Sequence, residues 1–187
     1  MEVGARVDIG DPQPTSPSST PSPTRLPNRA RAGANAITPD IFSLMHYQRT
    51  GDRYIVRFES GEPVVEPLLE WLAANKIGYA SLTGLGAVRE AKVSYWNAET
   101  RQYETHALDE QMEIVSFVGN ATLKEGAPFL HIHVTLGRRD LSIIGGHFNG
   151  GVVHPNLELI VAQGKEAVAR GLDEACGLWV MQLHERS

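Results

Sequence analysis

The first sustained apolar rhythm in the chain begins near Phe42. Tyr54-Ile55-Val56-Arg57-Phe58 is rich in β-formers and Gly61 follows as a turn signal, which predicts a strand. Val65, Leu68, Leu69 and Leu72 then recur at helical spacing through Pro63–Asn75, with Glu66 and Glu70 on other faces. Pro63 suits a first helical turn, whereas Pro67 predicts that the regular helix starts late, near that residue. Asn75 and Gly78 supply the stop.

Beyond the helix the pattern is mostly one of strands. Tyr79–Leu82 leads into Gly84-Leu85-Gly86, and Ala91–Trp96 alternates polar and apolar before a turn at Asn97–Arg101. Tyr103–Leu108, Met112–Phe117, Leu130–Leu136, Leu141–Ile144 and Leu157–Val161 follow. Strands this dense with short turns predict an α+β fold: a mostly antiparallel sheet with one flanking α-helix over a face. The last segment reads as a short helix through Lys165–Glu174 and a strand at Leu178–Leu183.

Upstream, residues 10–28 are dominated by Pro, Ser and Thr and carry too little apolar surface to offset the entropy of ordering them. The expected organisation is a disordered tail over 1–41 and one domain over 42–187. The tail has no apolar stretch of a secretory signal, and Glu2, Asp8 and Asp11 sit where transit peptides avoid acids, so the cytoplasm is the expected compartment. Nothing approaches the run of about 18 apolar residues that a membrane span requires, so a soluble protein is expected. Net charge is −5, and residues 1–43 balance to zero, so the acidic excess lies in the domain. A phosphate-binding surface needs a basic patch, and this balance disfavours nonspecific DNA binding. The single cysteine, Cys176, permits no intramolecular disulfide and reads as a small core residue.

Three of the seven histidines are not scattered. In Leu130-His131-Ile132-His133-Val134 the two imidazoles stand at i and i+2 of a strand, on one face. After a hairpin turn at Gly137-Arg138-Arg139-Asp140, the chain returns through Leu141–Gly146 to His147. A three-residue loop centred on Arg139 sets His131 opposite His147 on the same face. A two-residue loop pairs His147 with Leu130 and turns it away, unless Gly145-Gly146 makes a bulge. Three neutral imidazoles with an open fourth position match a catalytic rather than a structural zinc site. Spacing alone leaves satisfied core or surface histidines as the alternative.

Other polar residues are weaker candidates. His154 lies near enough in sequence to orient a ligand or to serve as one, while His46, His106 and His184 read as surface residues. Glu158, an acid within the apolar run Asn156–Val161, is the first candidate for a catalytic acid or base, with a solvent-facing strand position as the alternative. Glu113 has the same two readings, and Arg138 and Arg139 are expected to solvate the turn.

The stretches Thr83–Val88, Ala91–Trp96, Glu113–Gly119, Pro128–Gly137 and Gly145-Gly146-His147 resemble, in this order, the plants-and-prokaryotes-conserved (PPC) domain, also called domain of unknown function 296. The resemblance covers about residues 42–184, and Leu-His-Ile-His-Val…Gly-Gly-His is its most specific part. It implies a mostly antiparallel sheet with a flanking helix, assembly as a homotrimer, and a divalent metal, zinc being the expected ion, on His131, His133 and His147. The fold it implies is similar to that of acetolactate decarboxylase, where a His-x-His pair and a later histidine hold a catalytic zinc. Plant members place Arg-Gly-Arg-Pro hooks before the domain to contact DNA. No such element occurs here, and Arg29-Ala30-Arg31-Ala32 lacks both the glycine and the proline.

Two functions compete on these grounds. One is a zinc-dependent lyase or hydrolase acting on a small oxygenated metabolite, in which the ion polarises a carbonyl or lowers the pKa of bound water to about 7. The other is a homotrimeric DNA-binding or regulatory assembly module, which the family's usual description favours and the acidic charge disfavours. Metal storage or sensing is a third reading.

Overall fold

The computed structural model describes residues 45–183; the expected tail over 1–41 and His184 lie outside them. In chain order the elements are β1 (His46–Thr50), β2 (Arg53–Glu59), α1 (Val65–Ala74), β3 (Ala80–Asn97), β4 (Gln102–Leu108), β5 (Met112–Lys124), β6 (Ala127–Gly137), β7 (Ile143–Gln163), β8 (Ala169–Asp173) and β9 (Leu178–Met181). All pairings are antiparallel except β5 with β8. The expected class is therefore the observed one. Among the described residues no helix is long and apolar enough to cross a membrane.

The helix begins at Val65, two residues earlier than Pro67 suggested. Proline at the third helical position removes an N–H that has no carbonyl to meet in the first turn, so it costs no hydrogen bond there. The end is a Schellman motif: Ile77 N–H donates to Leu72 O at 3.0 Å and Lys76 N–H to Ala73 O at 3.0 Å, with Lys76 at φ 53°. Leu68, Trp71 and Leu72 are buried beneath it, against the sheet.

Several strands are longer than their apolar runs. β3 absorbs the segments around Tyr79–Leu82, Gly84–Gly86 and Ala91–Trp96 into one strand broken by register shifts. Gly84 permits a close backbone approach here, because a Cβ would strike Glu158 O and the Leu159 side chain. β7 likewise joins Leu141–Ile144 to Leu157–Val161 and runs straight through Asn149-Gly150-Gly151, which reads as a turn in sequence. The largest error concerns Lys165–Glu174. It forms no helix but carries strand β8, pinned by Leu123 N–H to Val168 O at 2.9 Å and by three hydrogen bonds from Arg170. Tertiary contacts override helical propensity in that segment. Cys176 sits half-buried in the β8–β9 turn rather than in the core.

Hydrogen-bonded neighbours run β3–β7–β6–β5, and β5 returns to β3, so these four strands close on themselves. Alternate residues fill the interior: Ile132, Val134 and Leu136 from β6, Phe117 from β5, Phe148 from β7 and Leu82 from β3 are all buried. The intervening positions of β6, namely His131, His133 and Thr135, must then face outward. Phe117 is fully buried and its ring meets Phe148 at 5.8 Å. Phe117→Ala should cost about 3–5 kcal/mol by chemical denaturation, the range for a phenylalanine removed from a packed core.

Candidate metal centre

His131 and His133 project from the outer face of β6 because the residues alternating with them are core. His147 reaches that face from β7, but opposite His133, not His131. The turn explains the difference. Arg138 N–H donates to Ser142 O at 2.9 Å and Leu141 N–H to Arg138 O at 2.9 Å, so the three-residue loop is centred on Asp140. Leu141 takes φ 65°, a left-handed position where sequence rules look for Gly or Asn. The Asp140 carboxylate accepts from Ser142 N at 2.9 Å and Ser142 Oγ at 2.6 Å, which fixes the turn. A shift of one residue in the loop centre moves every pair sum by two, so His147 keeps its face while changing its partner.

The return strand also needs its glycine. A Cβ on Gly145 would collide with the Val134 carbonyl, so the approach of β7 to β6 just before His147 requires this residue. His147 is flanked on its other side by β3, where it pairs with Ser94. Asn149 Nδ2 donates to Ser94 Oγ, and Ser94 Oγ lies 2.7 Å from Thr105 Oγ1. The Tyr103 ring, from β4, packs 5.0 Å from the His147 ring.

The three imidazoles converge. Their rings lie 5.2 to 5.6 Å apart, and one ligand atom from each falls within 4.8 Å of the others. His131 Nε2 and His133 Nε2 are 3.3 Å apart. Nitrogens bound at about 2.05 Å to one tetrahedral ion stand about 3.3 Å from each other, so this pair already has the spacing of two zinc ligands. Nδ1 of His147 is buried with no hydrogen-bond partner among the described residues. A buried nitrogen in that state calls for a ligand or an acceptor. Neutral, nitrogen-only donors of this kind fit zinc and its divalent neighbours better than magnesium or calcium.

Electrostatics keep the cluster ready for a cation. Burial is the largest cause that lowers the His131 pKa to about 4, and His147, Arg170 and His133 add to it. Burial, then His133 and Arg170, lower that of His147 as well. Both rings are therefore neutral at pH 7, the state that binds metal. His133 is the exposed member and leaves the outer side of the cluster open.

The other sequence candidates do not gather here. Glu158 is exposed on β7, eleven positions beyond His147, where it pairs with Arg57 and Leu85. His154 is exposed and its Nδ1 meets Ser60 Oγ at 2.8 Å; His46 pairs with Glu59 at 3.3 Å. His106 is exposed on β4 and Glu113 on β5. Arg138 meets Glu110 at 3.0 Å, and Arg139 is exposed at the turn. Sequence reasoning missed Tyr103 and Arg170. Arg170 Nη2 lies 3.5 Å from His131 Nδ1, yet 39 residues separate the two in sequence and no motif joins them.

The pKa shift has a consequence for stability. An unfolded histidine titrates near 6.5, so between about 6.5 and about 4 the unfolded chain holds more protons than the native one. The metal-free protein should lose stability as pH falls through that window. His131→Gln should show a smaller fall in Tm between pH 7 and pH 4.5 than the wild type. Equal falls in the two proteins would refute the assignment to His131.

No curated protein matches the chain. Among solved structures, a candidate DNA-binding protein from Bacteroides thetaiotaomicron is 28% identical, with a TM-score of 0.72 over 74% of this chain and 97% of its own. A metal-containing protein from Archaeoglobus fulgidus is 31% identical, with a TM-score of 0.66 over 74% of this chain and 99% of its own. A plant- and prokaryote-conserved protein from Pyrococcus horikoshii is 26% identical, with a TM-score of 0.66 over 76% of this chain and 96% of its own. The profile of the Plants and Prokaryotes Conserved (PCC) domain matches residues 45–165, from the start of the sheet past the end of β7, and the chain belongs to that family.

Proposed function

We propose that this protein binds one divalent metal ion, with zinc the best fit, through His131, His133 and His147, and that the open side of this centre acts on a small oxygenated metabolite. The observation that carries the reading is the 3.3 Å spacing of the His131 and His133 Nε2 atoms beside an orphaned His147 nitrogen. The metal-containing relative from Archaeoglobus fulgidus supports it. Bound there, zinc would supply Lewis acidity and a water of lowered pKa, the chemistry of a lyase or hydrolase. The chain's own residues would hold His131 and His147 neutral, leave the His133 side open and wall the His147 side with Tyr103. Glu158 is not part of this proposal, since the fold carries it to the other end of β7.

Assembly as a homotrimer belongs to the same reading. Val115 and Ile143 flank Gly137 and are 59% and 57% exposed, and Leu141 on the adjacent turn is 85% exposed. An apolar group of this kind suits burial between copies.

The DNA-binding reading draws on the Bacteroides thetaiotaomicron relative. One set of measurements separates the two: metal content and oligomer mass for the wild type and a His131→Ala/His133→Ala variant, with DNA affinity against salt. The expected result is about one zinc per chain, lost in the variant while the oligomer persists. Absence of metal from both proteins after reconstitution would sink the metal centre. A steep fall of DNA affinity with salt would instead favour the second reading.

A further inference from the structure

Among the described residues Arg170 is the buried charged side chain. It is 8% exposed and lies on β8, beyond the residues that the family profile matches. Nε donates to Thr122 Oγ1 at 2.8 Å, Nη1 to Trp179 O at 2.7 Å and Nη2 to Asn120 Oδ1 at 2.8 Å. All three acceptors are neutral. None of the described ion pairs includes Arg170. Burial lowers its pKa, but a guanidinium stays charged at neutral pH. A buried charge without a counter-charge is costly, and such groups are retained where something else supplies the opposite sign.

Its surroundings show where that supply is missing. Among the described residues the metal-competent group at this place is three histidines with no Asp or Glu. Arg170 Nη2 lies 3.5 Å from His131 Nδ1, so the guanidinium stands beside the cluster. A divalent ion on three neutral rings beside Arg170 would bring the formal charge there to about +3, with no Asp or Glu of the described residues paired to Arg170.

The tautomer sharpens the point. When Nε2 of an imidazole holds a metal, its proton sits on Nδ1. His131 Nδ1 and Arg170 Nη2, 3.5 Å apart, are then both donors, and neither can accept from the other. Metal-bound histidines usually give that proton to a carboxylate or a carbonyl. Here the neighbour among the described residues is a second donor, which leaves a place for an acceptor from outside.

We propose that Arg170 and the Nδ1–H of metal-bound His131 form a receptor for the carboxylate of a small anionic ligand, which makes the metabolite of this centre a carboxylate. The inference rests on the metal reading above and names its substrate class. The β8–β9 hairpin is the element that delivers the cation. Arg170 is held there by its own hydrogen bonds and by stacking, with Cζ 5.0 Å from the Phe129 ring centroid, and Lys124 Nζ lies 4.4 Å from that of Trp179. Three of the five Arg170 N–H bonds are committed, which leaves one on each terminal nitrogen, and a guanidinium already fixed in this way can give them to a carboxylate at little cost in side-chain entropy.

The test uses acetate and its neutral isostere acetamide as probes on the full chain loaded with cobalt, whose visible absorption reports ligands at and near the metal. Metal content is measured on every sample. Acetate should bind the wild type, and Arg170→Gln with full metal should bind it about tenfold more weakly, the scale of a lost charge-assisted hydrogen bond. Acetamide should be indifferent to the substitution, and Arg170→Lys should fall between. Should Arg170→Gln fail to fold or to load metal, the wild type decides. Acetate must then shift the Arg170 Nε–H resonance, assigned by its absence in Arg170→Lys. An unchanged acetate affinity in a fully loaded Arg170→Gln protein, or an Arg170 resonance that ignores acetate, overturns the inference and leaves the metal centre standing. A wild type that takes no metal overturns the metal reading itself, and this inference with it.

Discussion

The structure depends on one long strand shared among three partners. β7 pairs with β6 over Ile143–His147, with β3 over almost its whole length, and with β2 over Asn156–Ala162. These pairings close β3, β5, β6 and β7 into a ring with an apolar interior. They also set His147 beside His133. The core and the site are therefore two faces of one constraint. Any slip that displaced His147 by one position would also bring Phe148 out of the interior, where it is now 4% exposed against Phe117. The geometry of the three-histidine cluster is guarded by core packing.

The same constraint explains what could be read from the chain. Two histidines at i and i+2, with Ile132 and Val134 alternating, require only the two-residue period of a strand, so their common face was legible. The third was legible as to face, because any odd-length loop returns His147 to it, but not as to partner. The partner hinged on Leu141 adopting a left-handed φ of 65°, which no rule of turn composition selects for leucine. The Asn149-Gly150-Gly151 group misled in the opposite direction. It reads as a turn, and it is a stretch of β7 at a register shift against β3, where a Cβ on Gly151 would meet the Glu90 carbonyl.

Lys165–Glu174 was the least legible segment, and for a physical reason. Its residues favour a helix locally, and its true conformation is set by groups more than forty positions away: Arg170 is anchored by Thr122 and Asn120, and Val168 by Gly78 and Leu123. An arginine within a charged run reads as solvated surface. Only the folded chain shows it nearly buried, with its terminal nitrogen at the back of His131.

That placement bears on which of the two functions suits the fold. A duplex is held by exposed cations that reach phosphates along a surface, and the affinity comes from releasing counterions over many contacts. Arg170 is held by Thr122, Asn120, Trp179 and Phe129, is nearly buried, and lies beside His131 rather than along an open surface. The described exposed arginines near acids are paired, Arg57 with Glu59 and Arg89 with Glu90, and the chain as a whole is net acidic at −5. A long-range acidic field repels a polyanion and is screened within about 10 Å at ordinary salt, while a small anion held against Arg170 would meet chiefly the local positive charge. On the proposed reading, surface and site would select by size: a net-acidic chain that disfavours a polyanion, around a nearly buried cation that favours a small carboxylate.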